Sequence, residues 1–280
     1  MEIPGDLSPS SDRNDGSPVQ TNQAATTLPA PVAPVWHTVV LIAGIVLISI
    51  AGVFEFSGPQ AAVNRMQTYA FTAISELCML AWIYIGLRIR KVPFLSLLGS
   101  VPGNLRSIAM DLGFAALFWM GSLIVLGTIG VFWTVIEAAV THHPLFPSGK
   151  QITPDPTQQQ TIHTLTQLVP TNSTEVAAWI LLCVIAGFAE ETIFRGYFQR
   201  QFTAWARGAV AVGVALSALL FGAAHGYQGA RNMIMLAVFG VLFSLLALFR
   251  RSLRAGIFAH SWHDLIAGLT LALLKSHHII

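Results

Sequence analysis

Charge is what this 280-residue sequence has least of: Asp, Glu, Lys and Arg together make up 10% of it, against about a quarter of a soluble domain. Hydrophobic residues supply 54% and the mean hydropathy is +0.64, a balance that points to a chain crossing a membrane several times. Cysteine is nearly absent. Cys78 and Cys183 both fall inside apolar runs, so a disulfide framework is excluded and both read as lipid- or core-facing thiols. No basic patch stands outside short loops, and the formal net charge of +2 carries no footprint for nucleic acid. No basic stretch followed by an apolar run opens the chain, which argues against a signal peptide. Residues 1–35 are instead rich in Ser, Pro, Asn, Gln and Ala without apolar periodicity, the composition of a disordered tail. No internal repeat is visible.

What is present is a series of apolar runs. Crossing about 30 Å of hydrocarbon at 1.5 Å per residue takes about 20 residues. Seven runs qualify, near 36–56, 68–87, 108–136, 175–199, 208–225, 232–249 and 255–275. Lipid-exposed backbone must satisfy its own hydrogen bonds, so all seven are expected to be helices. The fold class is therefore all-α, a polytopic transmembrane bundle of about seven spans, six to eight.

Basic residues set the expected orientation. Arg13 lies in the tail, Arg88, Arg90, Lys91 and Arg106 in the loop 88–107, and Arg195, Arg200 and Arg207 at and beyond the end of the fourth run. Arg250, Arg251 and Arg254 fill the loop 250–254. The remaining four, Arg65, Lys150, Arg231 and Lys275, fall in the alternate loops. That alternation places the N-terminus and the basic loops in the cytoplasm of a multi-pass protein, with the cell membrane as the expected location. Seven spans would put the C-terminus outside. The outer loop 141–174, rich in Pro, Thr and Gln, is expected to have little regular structure, and a sequon, Asn172-Ser173-Thr174, closes it.

Ionisable groups within spans cost about 2.5–3.5 kcal/mol each on insertion scales, so the few that occur are the candidates for function. On the fourth run, Glu191 and Arg195 stand at i and i+4 on one face, a spacing that allows an ion pair. Glu190 is rotated about 100° from Glu191 and is left as the reactive carboxylate. On the fifth, Phe221 and His225 are again i and i+4. On the seventh, His260 and Asp264 share a face, and an Asp there could hold one imidazole nitrogen and fix the tautomer of the other; His263 lies off that face. The ordinary readings are a helix-end ion cluster, a packing histidine and a polar helix start. Together, however, a carboxylate, two imidazoles and a further Asp are the parts that activate water against a carbonyl.

In this order and spacing, "EETIFR", "FGAAH" and "HSWHD" follow the patterns E-E-x-x-x-R, F-x-x-x-H and H-x-x-x-N/D. They resemble the CPBP family (CAAX proteases and bacteriocin-processing proteins, also called ABI), whose best-understood members are type II CAAX prenyl endopeptidases. The resemblance covers roughly 175–275. It divides the chain into a tail at 1–35, helices and an outer loop at 36–174, and a catalytic membrane core at 175–278. It implies an all-helical intramembrane endopeptidase acting on a membrane-associated peptide or a lipidated, CAAX-type protein. Glu190 would activate the hydrolytic water, and His225 would stand by that water as metal ligand or proton partner. His260 and Asp264 would polarise the scissile carbonyl and hold the oxyanion, while Glu191, Arg195 and Phe221 would support them. One departure concerns Asp264, where the best-studied members carry Asn: an ionised Asp cannot donate to an oxyanion.

His225, His260 and a glutamate would suit zinc, but no H-E-x-x-H helix is present, and a divalent metal and a metal-free, glutamate-activated water both fit the residues. Counted from the cytoplasmic ends of their runs, Glu190 and His225 differ in depth by roughly 12 Å. That gap closes only if the fourth helix continues towards Trp205 or tilts. Glu76, in mid-span of the second run, has no counterpart in the motifs; it could line the same cavity or pair with Arg195. Two other classes share the residue list: a non-catalytic immunity or scaffold protein, and a proton-coupled carrier using Glu190, His225 and His260 as a relay.

Overall fold

The computed structural model describes residues 28–57, 64–100, 104–141 and 156–277. Most of the expected tail, with Arg13, and the stretch of the outer loop holding Lys150 lie outside these residues. The elements in chain order are α1 (Val35–Ser57), α2 (Arg65–Ile89), the single turn α3 (Leu95–Leu98), α4 (Leu105–Thr141), α5 (Pro156–Leu168), α6 (Ser173–Glu190), α7 (Gln199–Trp205), α8 (Val210–Ala224), α9 (Ala230–Arg250) and α10 (Arg254–Ser276). Between α6 and α7 the chain stays helical but widens into a π-helix over Glu191–Phe198.

Among the described residues six helices are long and apolar enough to cross a membrane. The all-α polytopic bundle is as expected, with two corrections to its spans. The fourth is one continuous helix from Ser173 to Trp205, so it does run on past Gln199. The fifth, α8, has 15 residues and a length of about 22 Å, short of the hydrocarbon thickness. It ends at His225, and Gly229, held at φ +90°, turns the chain back into α9. A left-handed turn of this kind favours glycine. Among the described residues the long spans therefore number six, within the expected six to eight. Cys78 is exposed on the flank of α2 and Cys183 is buried, both free. Large apolar side chains such as Leu117, Ile124, Phe132 and Ile136 of α4 stay exposed, as a lipid-facing surface requires.

Contacts between loops group the ends of the spans. The backbone N–H groups of Val32 and Ala33 donate to the Gln201 side chain. Ser100 N–H donates to Arg251 O, and Leu253 N–H to Leu98 O. The N-terminal segment, the 88–107 loop, the end of α7 and the 250–254 loop thus gather at one end of the bundle, the grouping that the basic residues predicted. Asp111 of α4, fully buried, fixes this end by accepting from Arg250 at 2.9 Å and from Arg254 Nε at 2.6 Å.

At the other end the outer loop is not structureless: Pro156–Leu168 within it form α5. Cationic side chains cap that helix's C-terminal carbonyls, Arg65 Nε to Gln167 O at 2.9 Å and Lys275 Nζ to Thr166 O at 2.6 Å, as the dipole favours. Tyr69 donates to Leu168 O, and Thr161 to Gln228 O. These bonds strap α5 across the bundle between α2, α10 and the turn after α8. Asn172 of the sequon is the N-cap of α6, accepting from Glu175 N–H at 3.0 Å.

Helices in lipid associate through close packing of small residues, and α6 and α10 show it. A Cβ at Gly187 would collide with Ser261, and one at Gly256 would stand 3.0 Å from Glu191 Oε2. Those two glycines let α10 lie against the stretch of chain that carries the paired glutamates.

Candidate active site

Glu190 is the last α-helical residue before the π-helix, and Glu191 the first within it. Rotation along the helix sends the two carboxylates to opposite nitrogens of His260, and Glu191 alone to Arg195. Glu191 is wholly buried and Glu190 half-buried.

Glu191 forms an ion pair with Arg195, Oε1 to Nη1 at 3.1 Å, the i, i+4 pair read from the sequence. The Arg195 guanidinium lies over the rings of Phe221 at 4.3 Å and Phe243 at 5.0 Å, and Arg195 Nη2 donates to Gly240 O at 3.5 Å. Stacking of this kind adds to the stability of a desolvated guanidinium. Phe221 is therefore an aromatic floor beneath both Arg195 and the histidines, its ring 4.9 Å from that of His225 and 6.0 Å from that of His260.

The same Glu191 carboxylate reaches His260, Oε1 to Nδ1 at 3.0 Å. The expectation that Asp264 fixes the His260 tautomer is corrected here. A buried carboxylate accepts only, so Nδ1 carries the proton for Glu191, and Asp264 Oδ2 instead approaches the opposite nitrogen, Nε2, at 3.6 Å. Phe243 stacks on the His260 ring with centroids 5.2 Å apart. His225 is held in the same fashion by backbone: its Nδ1 lies 2.8 Å from Phe221 O, one turn earlier, and a carbonyl also requires N–H there.

Both imidazoles thus have Nδ1 tethered and Nε2 free to face inward, and both face Glu190. His260 Nε2 is 3.5 Å and His225 Nε2 4.0 Å from Glu190 Oε2, an oxygen with no hydrogen-bond partner. The depth mismatch between Glu190 and His225 disappears because the fourth helix runs to Trp205 and α8 stops at His225. The four candidates Glu190, His225, His260 and Asp264 converge, with Glu191, Arg195 and Phe221 behind them. Among the described residues no group of three or more His, Cys, Asp or Glu has the arrangement to hold a metal ion, so the reading of His225 and His260 as ligands lacks a complete donor set here.

Two chambers flank this cluster. One, of about 420 Å³, lies towards α1 and α2, and its walls include Glu55, Phe71, Glu76 and Tyr227. The other, of about 400 Å³, lies towards α4, α9 and α10, and its walls include Trp179, Phe239, His263 and Asp264. Glu76, Glu190 and His225 border both, and Leu168 of α5 closes both on one side. Glu76 lines the cavity as one alternative had it and does not pair with Arg195. Three participants were not legible. Phe243 sits on α9 and no spacing ties it to His260. Tyr227 could have been suspected from its place two residues after His225. Glu191's hold on His260 depends on which way the helix is turned, which adjacency in sequence does not reveal.

Comparison with curated proteins and with solved structures yields no match. Residues 172–266 match the family model described as type II CAAX prenyl endopeptidase Rce1-like, a segment that contains all three motifs and every residue of the cluster just described. That segment is similar to the CAAX protease family over about a third of the chain, and it holds the paired glutamates and both motif histidines that the helical bundle draws together.

Proposed function

We propose that this protein is an intramembrane endopeptidase that hydrolyses a peptide bond of a membrane-associated or prenylated, CAAX-type substrate with water activated by Glu190. The observation that carries the reading is the Glu190 carboxylate oxygen that lacks a hydrogen-bond partner and faces two imidazole Nε2 atoms. In this scheme a water donates one proton towards Glu190 and is oriented by His225 Nε2, the acceptor left once Nδ1 is committed to Phe221 O. As the water oxygen bonds to the scissile carbonyl carbon, Glu190 takes the proton. His260 carries a proton on each nitrogen, Nδ1–H to Glu191 and Nε2–H to the developing oxyanion. The carboxylates of Glu190, Glu191 and Asp264, all within 3.6 Å of its ring nitrogens, supply the counter-charge. Collapse breaks the C–N bond, Glu190 returns its proton to the leaving amine, and the products are a carboxylic acid and an amine, which pass to carboxylate and ammonium as the acid's proton moves to the amine.

The scheme is written without a metal, since Glu190 can take the proton from the water directly. Asp264 serves to orient His260 Nε2. The mostly apolar chambers suit a substrate that arrives from lipid, and the family match supports a prenylated one. The end of the bundle that gathers the basic loops is assigned to the cytoplasm, with the protein in the cell membrane.

The test is cleavage of an internally quenched, prenylated peptide by the detergent-purified protein. Glu190→Gln keeps the shape and removes the base, and should lower turnover by about 10²–10⁴-fold with unchanged thermal stability. Chelation with EDTA should leave the wild-type rate intact. Equal rates for wild type and Glu190→Gln would remove Glu190 from the chemistry.

A further inference from the structure

Glu76 belongs to none of the motifs, yet the fold puts it where the chemistry is. It lies mid-way along α2, a helix outside the family-matched segment. Its side chain is 4% exposed, and its Oε2 has no hydrogen-bond partner. It borders both chambers, as Glu190 does. The chamber towards α1 is acidic as well as apolar: Glu55, Glu76 and Glu190 line it, and among the described residues no lysine or arginine does. Among the described residues the other chamber has no lysine or arginine in its walls either. The nearby guanidinium of Arg195 is spent on Glu191 and the rings of Phe221 and Phe243. Among the described residues, the positive charge nearest to this carboxylate is that of His260, which Glu190, Glu191 and Asp264 already balance.

An ionised carboxylate without a partner is expensive at this depth, and the cost falls when a cation is delivered to it. Resting on the proteolytic reading above, we propose that Glu76, with the acidic wall of the chamber between α1 and α2, forms a specificity subsite for a lysine or arginine side chain close to the bond that is cut. The apolar stem of such a side chain fits walls such as Phe71 and Met79 while its charged head reaches Glu76. Specificity of this type acts strongly on analogues that leave the buried charge unpaired. A neutral side chain of the same length should therefore be discriminated against, and not merely be bound a little more weakly.

The experiment uses the full chain purified in detergent and a set of internally quenched, farnesylated peptides. Each flanking position in turn carries lysine or its uncharged counterpart norleucine. The expected result is one position at which wild type prefers lysine by at least tenfold in kcat/KM. Glu76→Gln should flatten that preference by slowing the lysine peptide alone, chiefly through KM, while Glu76→Asp should retain part of it. A thermal midpoint equal to wild type certifies that the Gln variant is folded. Cleavage with no lysine preference at any position overturns the subsite. So does a preference that survives in Glu76→Gln, or a loss in Glu76→Gln that is equal for both peptides. Absence of cleavage by wild type on every peptide overturns the proteolytic reading and the subsite with it, and the two failures are thereby told apart.

Discussion

Replacing Arg195 by Met exposes the logic of the site most sharply. The side chain is 3% exposed and its one ionic partner, Glu191, is not exposed at all. Methionine preserves the stem and the contact with Phe221 and Phe243 but leaves the Glu191 carboxylate with only His260 Nδ1, at 3.0 Å. Removing one member of a buried pair costs about 3–5 kcal/mol, because the other charge stays buried without compensation. Set against a total stability of about 5–15 kcal/mol, this is a large share. At about 2–4 °C per kcal/mol, the thermal midpoint should fall by roughly 6–20 °C, read in detergent by loss of the monodisperse peak after heating. The double variant Glu191→Gln/Arg195→Met removes both charges and keeps an acceptor for His260. It should recover at least half of the lost midpoint, since removing both members of a buried pair is far less costly than removing one. It should lose most of its activity, because His260 loses the carboxylate on Nδ1, the closest of its three counter-charges. If Arg195→Met melts like wild type, or the double variant melts lower than the single one, the buried pair is not what holds this part of the π-helix.

Asp264→Asn should keep activity within about tenfold, since an amide orients His260 Nε2 as well as a carboxylate and can also donate to an oxyanion; Asp264→Ala should lose more than that, as measured by kcat on the same prenylated peptide. Asp111→Ala leaves Arg250 and Arg254 without their shared buried acceptor and should cost about 3 kcal/mol of stability, seen as a lowered midpoint with unchanged kcat per folded molecule.

Much of this was written in the sequence in a form that chemistry can decode. Spans announce themselves by length and apolarity, and the Glu191–Arg195 pair by its spacing of four. Glu190, His225 and His260 stood out as ionisable residues where lipid discourages them. What the sequence withheld depended on rotation and depth. Nothing in "ETIFRGYF" signals the π-helix that begins at Glu191. The shortness of α8 was hidden because an apolar run shows where lipid is tolerated, not where a helix ends, and "GYQG" after His225 continues an ordinary composition. Asp111, in a long apolar helix, gained its meaning only from arginines about 140 positions away. The helix α5 was missed because its polar composition reads as loop, and its order comes from Arg65, Tyr69 and Lys275 on other helices.

The central claim, that Glu190 activates water rather than attacking the substrate itself, is tested most directly by a single turnover in ¹⁸O-labelled water. Enzyme in excess cleaves a prenylated peptide, and mass spectrometry then reads both the new product carboxylate and the tryptic fragment carrying Glu190. The account predicts one ¹⁸O atom in the product and none in Glu190. Label in Glu190 with an unlabelled product would mean a covalent acyl-enzyme on that carboxylate and would contradict it.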